Sequence, residues 1–114
     1  MKSPRKSTAP SENDRWNAGL LAYIEWGPQR SKPDEQRVAE AMPGVSSAQI
    51  AELVEEFGRI DSAAHRIVIE MLEQKLGEEI GRRRVAEIDP RLSADNAAML
   101  FTQARVSAWR DGYS

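Results

Sequence analysis

Hydrophobic residues recur at helical spacing through most of this chain, and each series begins at a residue that typically caps a helix. The clearest start is at Ser46 and Gln49, which have the spacing of a capping box. The apolar positions that follow it, at i, i+3, i+4 and i+7, are Ile50, Leu53, Val54 and Phe57. No segment alternates with the period of two that is typical of a strand. The sequence therefore predicts an all-α fold, with helix content above roughly 60% against a usual value of about a third.

Caps and breaking residues divide the chain into five predicted amphipathic helices. They cover residues 13–26, 34–42, 47–57, 61–88 and 93–110. Ser11 with Asp14 resembles a capping pair before the first helix, Gly58 is expected to end the third, and Asp61 or Ser62 to cap the fourth. Ser93 is expected to cap the fifth helix, one face of which carries Ala97, Phe101, Ala104 and Ala108. The fourth helix has an apolar sector wider than half its circumference, which predicts a central position in the bundle. Gly77 and Gly81 predict a kink or a close helix crossing within it.

The 114 residues are enough for one domain with one hydrophobic core. Residues 1–11 are basic and rich in proline and serine, so we expect a disordered tail. Residues 12–114 are expected to form a single compact helical bundle of four or five helices. Whether the helix over residues 12–26 packs on residues 34–111 or on another subunit stays open. The predicted core residues are Val54, Phe57, Val68, Leu72 and Phe101.

Charge is distributed unevenly along the sequence. Residues 1–10 carry +3 and residues 11–33 carry no net charge, whereas residues 34–80 carry −7 and residues 81–114 carry +2. An acidic middle repels nucleic-acid phosphates. The chain contains no cysteine and no apolar run long enough for a signal peptide or a membrane span, so we expect a cytoplasmic protein.

Residues that could perform catalysis are scarce. His65 is the single histidine, and Asp61 lies one helical turn before it, which would allow the carboxylate to orient the imidazole. No nucleophile can be assigned to that pair, so a packed or capping histidine is the better interpretation. Glutamate pairs such as Glu70 and Glu73 lack the histidine companion of helical metal sites, and the glycines form no phosphate-binding loop. We therefore expect no enzyme activity, no metal and no cofactor.

One segment has the pattern of a DNA-binding motif. Residues 38–53 comprise a short helix, a turn at Pro43 and Gly44, and a second helix, as in a helix-turn-helix. The interval before Gly44 is one residue longer than usual, and the second helix would present Glu52, Glu55 and Glu56 to the base edges and phosphates. The basic residues at both ends of the chain could still contact a DNA backbone. A helix-turn-helix regulator is the leading alternative function, although nucleic-acid binding is not the expected one.

A longer segment, residues 42–72, resembles the three-helix CUE or UBA-like ubiquitin-binding module. The resemblance rests on Met42 and Pro43, on a capped helix, on a turn at Gly58 to Asp61, and on Met71 with Leu72 at the end of a further helix. The phenylalanine of the family's Met-Phe-Pro turn is missing here. The resemblance implies three short helices and ubiquitin-like binding as a further alternative.

The aromatic residues concentrate at the two ends of the predicted domain. They are Trp16, Tyr23 and Trp26 in the first helix, and Trp109 and Tyr113 at the end of the last. Large amphipathic rings are enriched at protein interfaces, although in a small domain they are also common in the core. We therefore expect a small helical domain that associates with a partner protein or with itself, as an adaptor, regulator or subunit, through these five residues. No membrane contact is expected.

Overall fold

A computed structural model describes residues 11–25 and 31–113, and 77% of these are helical. Five helices follow one another, and the described residues contain no β-strand: α1 (Glu12–Ile24), α2 (Asp34–Ala41), α3 (Ser47–Glu73), α4 (Glu78–Ala86) and α5 (Ala94–Arg110). The predicted all-α fold is confirmed. Residues 1–10 of the predicted tail, residues 1–11, lie outside the described residues, and Ser11 caps α1.

Three of the predicted helix starts are present as hydrogen bonds. Capping boxes begin α1 at Ser11 and α3 at Ser46, and the Ser93 hydroxyl accepts from the Asn96 N–H at the start of α5. Each cap satisfies a backbone donor that the helix itself leaves unpaired. These local signals were readable because a cap involves only residues within one turn.

The division between the third and fourth predicted helices is wrong, because α3 runs without a break from Ser47 to Glu73. Gly58 remains helical in the middle of it, at a cost of about 1 kcal/mol relative to alanine. The Tyr23 hydroxyl lies 3.1 Å from the position that a Cβ of Gly58 would occupy, so α1 approaches α3 closely here. Ile60 and Ala64, just beyond this point, are buried. Tertiary packing therefore outweighs the local signal for a helix end.

The end of α3 also differs from the prediction. The N–H of Leu76 donates to the Met71 carbonyl at 2.9 Å, and the N–H of Lys75 donates to the Leu72 carbonyl at 3.3 Å, which together form a Schellman motif. Lys75 has the left-handed φ of +57° that the motif requires. Gly77 is the N-cap of α4 rather than part of a long helix. A lysine in the left-handed conformation follows the C-cap residue Gln74, and a prediction that looked for glycine at helix ends missed it.

Gly81 marks the close crossing that was predicted for this region. A Cβ on Gly81 would overlap Met71 Sδ of α3 and lie 3.0 Å from Phe101 Cε1 of α5. The missing side chain therefore lets α4 pack against both longer helices. This is a packing role and not a helix end.

Two polar side chains hold the N-terminal helices in place. Arg37 is buried and donates to the carbonyls of Ala22 and Tyr23, in the last turn of α1, at 3.0 and 3.1 Å. At the start of α5, the Ser93 N–H donates to the side-chain oxygen of Asn17 in α1 at 2.9 Å. The side-chain amide of Asn96 donates to the backbone carbonyl of Asn17 at 2.8 Å. The question left open by the sequence is answered here, because α1 packs on α2, α3 and α5 of this same chain.

One hydrophobic cluster extends through all five helices. Phe57, Val68 and Phe101 are completely or almost completely buried, as predicted. Val54 and Leu72 are only partly buried, which corrects their assignment to the core interior. Among the described residues, no helix combines the length and apolar character needed to cross a membrane.

Candidate partner-binding surface

Trp109 projects from α5 into solvent with 71% of its surface exposed, although its neighbour Ala108 is fully buried. A second Schellman motif ends α5 beside it. Gly112, at φ +97°, donates to the Trp109 carbonyl, and the Tyr113 N–H returns to the Ala108 carbonyl at 3.0 Å. This turn brings the partly buried Tyr113 back against the core, on the same side of the molecule as Trp109.

A groove of about 350 Å³ lies between the end of α3, α4 and the second half of α5. We call it the C-terminal groove. Its apolar lining consists of Leu72, Phe101, Val106, Trp109 and Tyr113. It therefore combines an exposed indole with an adjoining depression, which is the kind of surface that a partner can cover.

Two arginines flank the groove, and one carboxylate connects them. The guanidinium of Arg82 stacks over the Phe101 ring at 4.4 Å from its centroid. Glu78 forms an ion pair with Arg105 and lies 3.8 Å from Arg82 Nη2. The rim therefore carries both signs of charge, with one more arginine than carboxylate.

Sequence reasoning found Trp109 and Tyr113 but missed the rest of the groove. Thr102, Arg105, Val106 and Trp109 lie at i, i+3, i+4 and i+7 and all line the groove. This second stripe runs beside the alanine-rich buried face of α5 and was readable from spacing. Leu72 and Arg82 belong to other helices, and no sequence signal places them there.

Trp16 is not available to a partner, which corrects its assignment to an association surface. Trp16 is only 5% exposed, and its ring packs edge-on against the Phe57 ring with centroids 5.5 Å apart. Its indole Nε1 donates to Glu56 Oε1 at 3.0 Å, and the Arg91 guanidinium lies 4.2 Å over its ring. The ring with its polar edge is a structural link between α1, α3 and the loop before α5.

Tyr23 is also turned inward, with its ring 6.1 Å from that of Phe57 and its side chain partly buried. Burial raises the pKa of the Tyr23 phenol, the charges of Asp34 and Asp61 raise it further, and Arg37 opposes them. Trp26 lies outside the described residues. Because α1 meets the beginning of α5, about 24 Å along the helix from Trp109, Trp16 and Tyr23 do not form one surface with Trp109.

The Glu56 carboxylate accepts a hydrogen bond from the Trp16 indole and one from Arg91 Nη2, at 3.0 Å. Arg91 also forms an ion pair with Asp89 at 2.8 Å. Burial by itself would raise the pKa of Glu56, but the hydrogen bonds from Trp16 and Arg91 outweigh it and hold this pKa below its usual range. The hydrogen bond from Arg91 likewise lowers the pKa of Asp89. These groups are ionised and engaged in holding the fold together.

The predicted pair of Asp61 and His65 lines a cleft between α3 and α5 together with Ser62 and Ser107. His65 Nε2 lies 3.9 Å from Asp111 Oδ2, at the end of α5. Burial raises the pKa of Asp61, and the charge of His65 partly opposes this. Within residues 11–25 and 31–113, no three His, Cys, Asp or Glu side chains are placed to hold a metal ion.

The helices match the helix-turn-helix pattern and not the ubiquitin-binding one. Residues 38–53 do form a helix, a turn with Gly44 at φ +89°, and a second helix that exposes Glu52 and Glu55. The CUE or UBA-like resemblance requires a turn near Gly58, where α3 is continuous. The implied arrangement of three short helices is therefore wrong.

Fold and surface together define a small all-α domain, in which five described helices share one core and an apolar groove accompanies an exposed tryptophan at the C-terminal end. No protein-family model, no curated protein and no solved structure matches the chain.

Proposed function

We propose that this protein is a protein-association domain that binds a partner chain at the C-terminal groove. The observation that supports the proposal is the 71% exposure of Trp109 beside an apolar depression. Tryptophan is among the residues most enriched at the energetic centres of protein interfaces. The other large aromatics of the described part are wholly or partly buried, so Trp109 leaves by far the largest aromatic surface in contact with water.

The charges of the groove are consistent with binding that depends mainly on apolar contact. The side chains of Arg82, Arg105 and Glu78 are all substantially exposed, and ion pairs between exposed side chains contribute little, so a partner gains little from charge alone. We therefore expect an association that persists at high salt, since apolar burial is not screened. The proposed function involves no catalysis. We also propose a cytoplasmic location, because a chain without cysteine suits a reducing compartment.

Photo-crosslinking in the native host would test the proposal. The crosslinking amino acid p-benzoylphenylalanine replaces Thr102, which is exposed and lines the groove, or Ala48 as a matched control. Ala48 is exposed near the start of α3, about 36 Å along that helix from Leu72. We expect an adduct of defined mass from position 102 and none from position 48.

The adduct should disappear when Trp109→Ala is added to the position 102 variant. An exposed side chain can be truncated with little effect on folding, and unchanged far-UV circular dichroism would verify this. Equal adducts from positions 48 and 102, or adducts that survive Trp109→Ala, would count against the groove as the binding surface. No adduct from either position would reject the proposal.

A further inference from the structure

We propose that residues 1–10 of this chain bind back to a second groove, which lies near the start of α3. We call it the N-terminal groove. It has a volume of about 850 Å³ and lies between the first turns of α1, the turn over residues 42–45 and the first half of α3. It is separate from the C-terminal groove, because Glu52 lies about 30 Å along α3 from Leu72.

The N-terminal groove has an apolar floor and an acidic rim. Apolar side chains that line it include Met42, Val45 and Leu53. Its carboxylates are those of Glu12, Glu52, Glu55 and Glu56. Its cations are Arg15, Arg59 and Arg91. Because Arg91 is shared between Glu56 and the neighbouring Asp89, five carboxylates stand against three arginines, and the groove has a net negative charge.

Residues 1–10 have the opposite charge. Lys2, Arg5 and Lys6 give this segment +3, and it contains no acidic residue. Opposite charges on two surfaces favour their encounter and fix which surfaces meet. Glu52 and Glu55 are exposed and, among the described residues, form no ion pair that the segment would have to break.

Chain connectivity selects this segment over a basic peptide of another protein. Ser11 caps α1, and the next residue, Glu12, already lines the groove. An extended chain spans about 3.3 Å per residue, so Arg5 and Lys6 can reach points within about 17–20 Å of Ser11. A short tether of this kind gives an effective concentration in the millimolar range. A free peptide of the same charge would have to exceed that concentration to displace it.

The contact depends mainly on charge. A segment rich in lysine, serine and proline has little apolar surface to bury, and exposed ion pairs contribute little individually. Added salt should therefore release the segment, in contrast to the salt-resistant association expected at the C-terminal groove. Residues 1–10 thus act as an intramolecular competitor that keeps basic partners away from the N-terminal groove.

Paramagnetic relaxation enhancement in the full chain would test the proposal. Because the chain has no cysteine, Ser3→Cys introduces a single thiol for a nitroxide label. Two sets of backbone amides are compared: Val45 and Gln49 at the groove, and Ala94 and Ala98 in the first turns of α5. Both sets lie beside α1, since the start of α5 is hydrogen-bonded to Asn17. We expect at least about threefold larger enhancement at the groove amides.

Two pairs of substitutions separate local charge from net charge. Glu52→Gln with Glu55→Gln removes two carboxylates from the groove, whereas Glu79→Gln with Glu87→Gln removes two exposed carboxylates from α4 and its C-terminal end. The first pair should lower the enhancement at the groove amides at least about threefold, and the second should leave it unchanged. Raising the salt concentration from about 20 mM to about 500 mM should act like the first pair, because it screens exposed charges.

Equal enhancement at the two sets of amides would overturn the proposal, and so would enhancement that neither pair of substitutions alters. A mixture of nitroxide-labelled chain with ¹⁵N-labelled chain that carries no nitroxide tests for binding between copies. We expect no enhancement there. Enhancement as large as in the single chain would mean that the segment occupies the groove of a second copy, and would overturn binding within the chain. The Trp109-dependent adduct at position 102 tests the proposed function separately.

Discussion

Several helix ends in this protein depend on single residues that neither cap rules nor hydrophobic periodicity identify. Arg37 brings a guanidinium to the end of α1, where it binds two carbonyls and the Asp34 carboxylate at 2.6 Å. A cation suits this end of a helix, because unpaired carbonyls give it partial negative charge. Lys75 ends α3 in a conformation that glycine normally supplies. These two helix ends are therefore specified by single residues, one through its side-chain hydrogen bonds and the other through its backbone conformation.

Replacing Lys75 with glycine should stabilise the protein. A non-glycine residue in the left-handed region destabilises the folded state by about 1–2 kcal/mol, and glycine avoids this conformational cost. Glycine also has a larger conformational entropy in the unfolded chain, which offsets part of the gain in stability. We expect Lys75→Gly to raise the free energy of unfolding by about 1 kcal/mol in urea titrations. Gly112→Ala, the reverse change at φ +97°, should lower it by a similar amount. Equal effects of the same sign would contradict this account of the α3 end.

The cluster of Glu56, Asp89 and Arg91 should make the protein sensitive to acid. The folded state lowers the pKa of both carboxylates, so it binds fewer protons than the unfolded chain near their usual values. Their stabilisation is complete above about pH 4–5 and is lost as the pH falls through the lowered values. We expect Glu56→Gln to flatten the decline in unfolding free energy between about pH 5 and pH 2.5.

The control for this experiment is Glu55→Gln, which removes an exposed carboxylate from the adjacent position of α3. It should leave the pH profile close to that of the unmodified protein. Should both variants give the same profile, the acid sensitivity would have to arise from net charge and not from the Glu56 cluster.

At the scale of the helices, close packing decides both the length of α3 and the position of α4. Gly19 of α1 faces Met42 and Phe57, while Gly81 of α4 faces Met71 and Phe101. Each glycine therefore brings a shorter helix against a buried phenylalanine. The sequence predicted a kink or a close helix crossing at Gly81, and in the fold both glycines are contact points between helices.

Two glycines inside helices provide a matched test of this interpretation. Alanine gains about 1 kcal/mol of helix propensity at either position. At Gly58 the side chain that a Cβ would meet, among the described residues, is that of Tyr23, which is partly buried and can move by a few tenths of an ångström. At Gly81 the new Cβ would meet Met71 and Phe101, which are 2% and 1% exposed, and overpacking costs about 1–3 kcal/mol.

We therefore expect Gly58→Ala to be neutral or slightly stabilising and Gly81→Ala to be destabilising, with a difference of about 2 kcal/mol in the free energy of unfolding. Chemical denaturation monitored by circular dichroism would measure it. A Gly81→Ala variant as stable as Gly58→Ala would show that α4 does not pack tightly on α3 and α5.

For the whole molecule, the core joins two regions, one around Phe57 and one around Phe101. The first takes in Trp16 and Tyr23 of α1, and the second contains Met71 together with Gly81 of α4. Helices α3 and α5 pack along each other between them. Because both regions share α3 and α5 in a single hydrophobic cluster, we expect the described helices to unfold together.

Truncating either phenylalanine to alanine should cost about 3–5 kcal/mol, because each is at most 1% exposed. Thermal unfolding followed by tryptophan fluorescence and by far-UV circular dichroism should show one coincident transition in the unmodified protein and in each variant. Separate midpoints for the two signals would show that α1 unfolds independently. A loss below about 1 kcal/mol at both positions would mean that the core is placed wrongly.

The sequence alone determined what depends on neighbours within a few turns. The capping boxes at Ser11 and Ser46, the Ser93 cap and the buried face of α5 follow from local hydrogen bonding and from a spacing of 3.6 residues. The all-helical class and the concentration of aromatic residues at the two ends of the domain belong to this category.

Tertiary structure decided whatever depends on residues far apart in the chain. Gly58 stays helical because α1 and the buried residues beyond it stabilise the continuous α3, and no local preference reports that free energy. Trp16 and Trp109 have the same side chain. Trp16 packs against Phe57, Glu56 and Arg91, whereas Trp109 is exposed to water. Burial is a property of the assembled helices, so it separated a structural tryptophan from the one proposed to bind a partner.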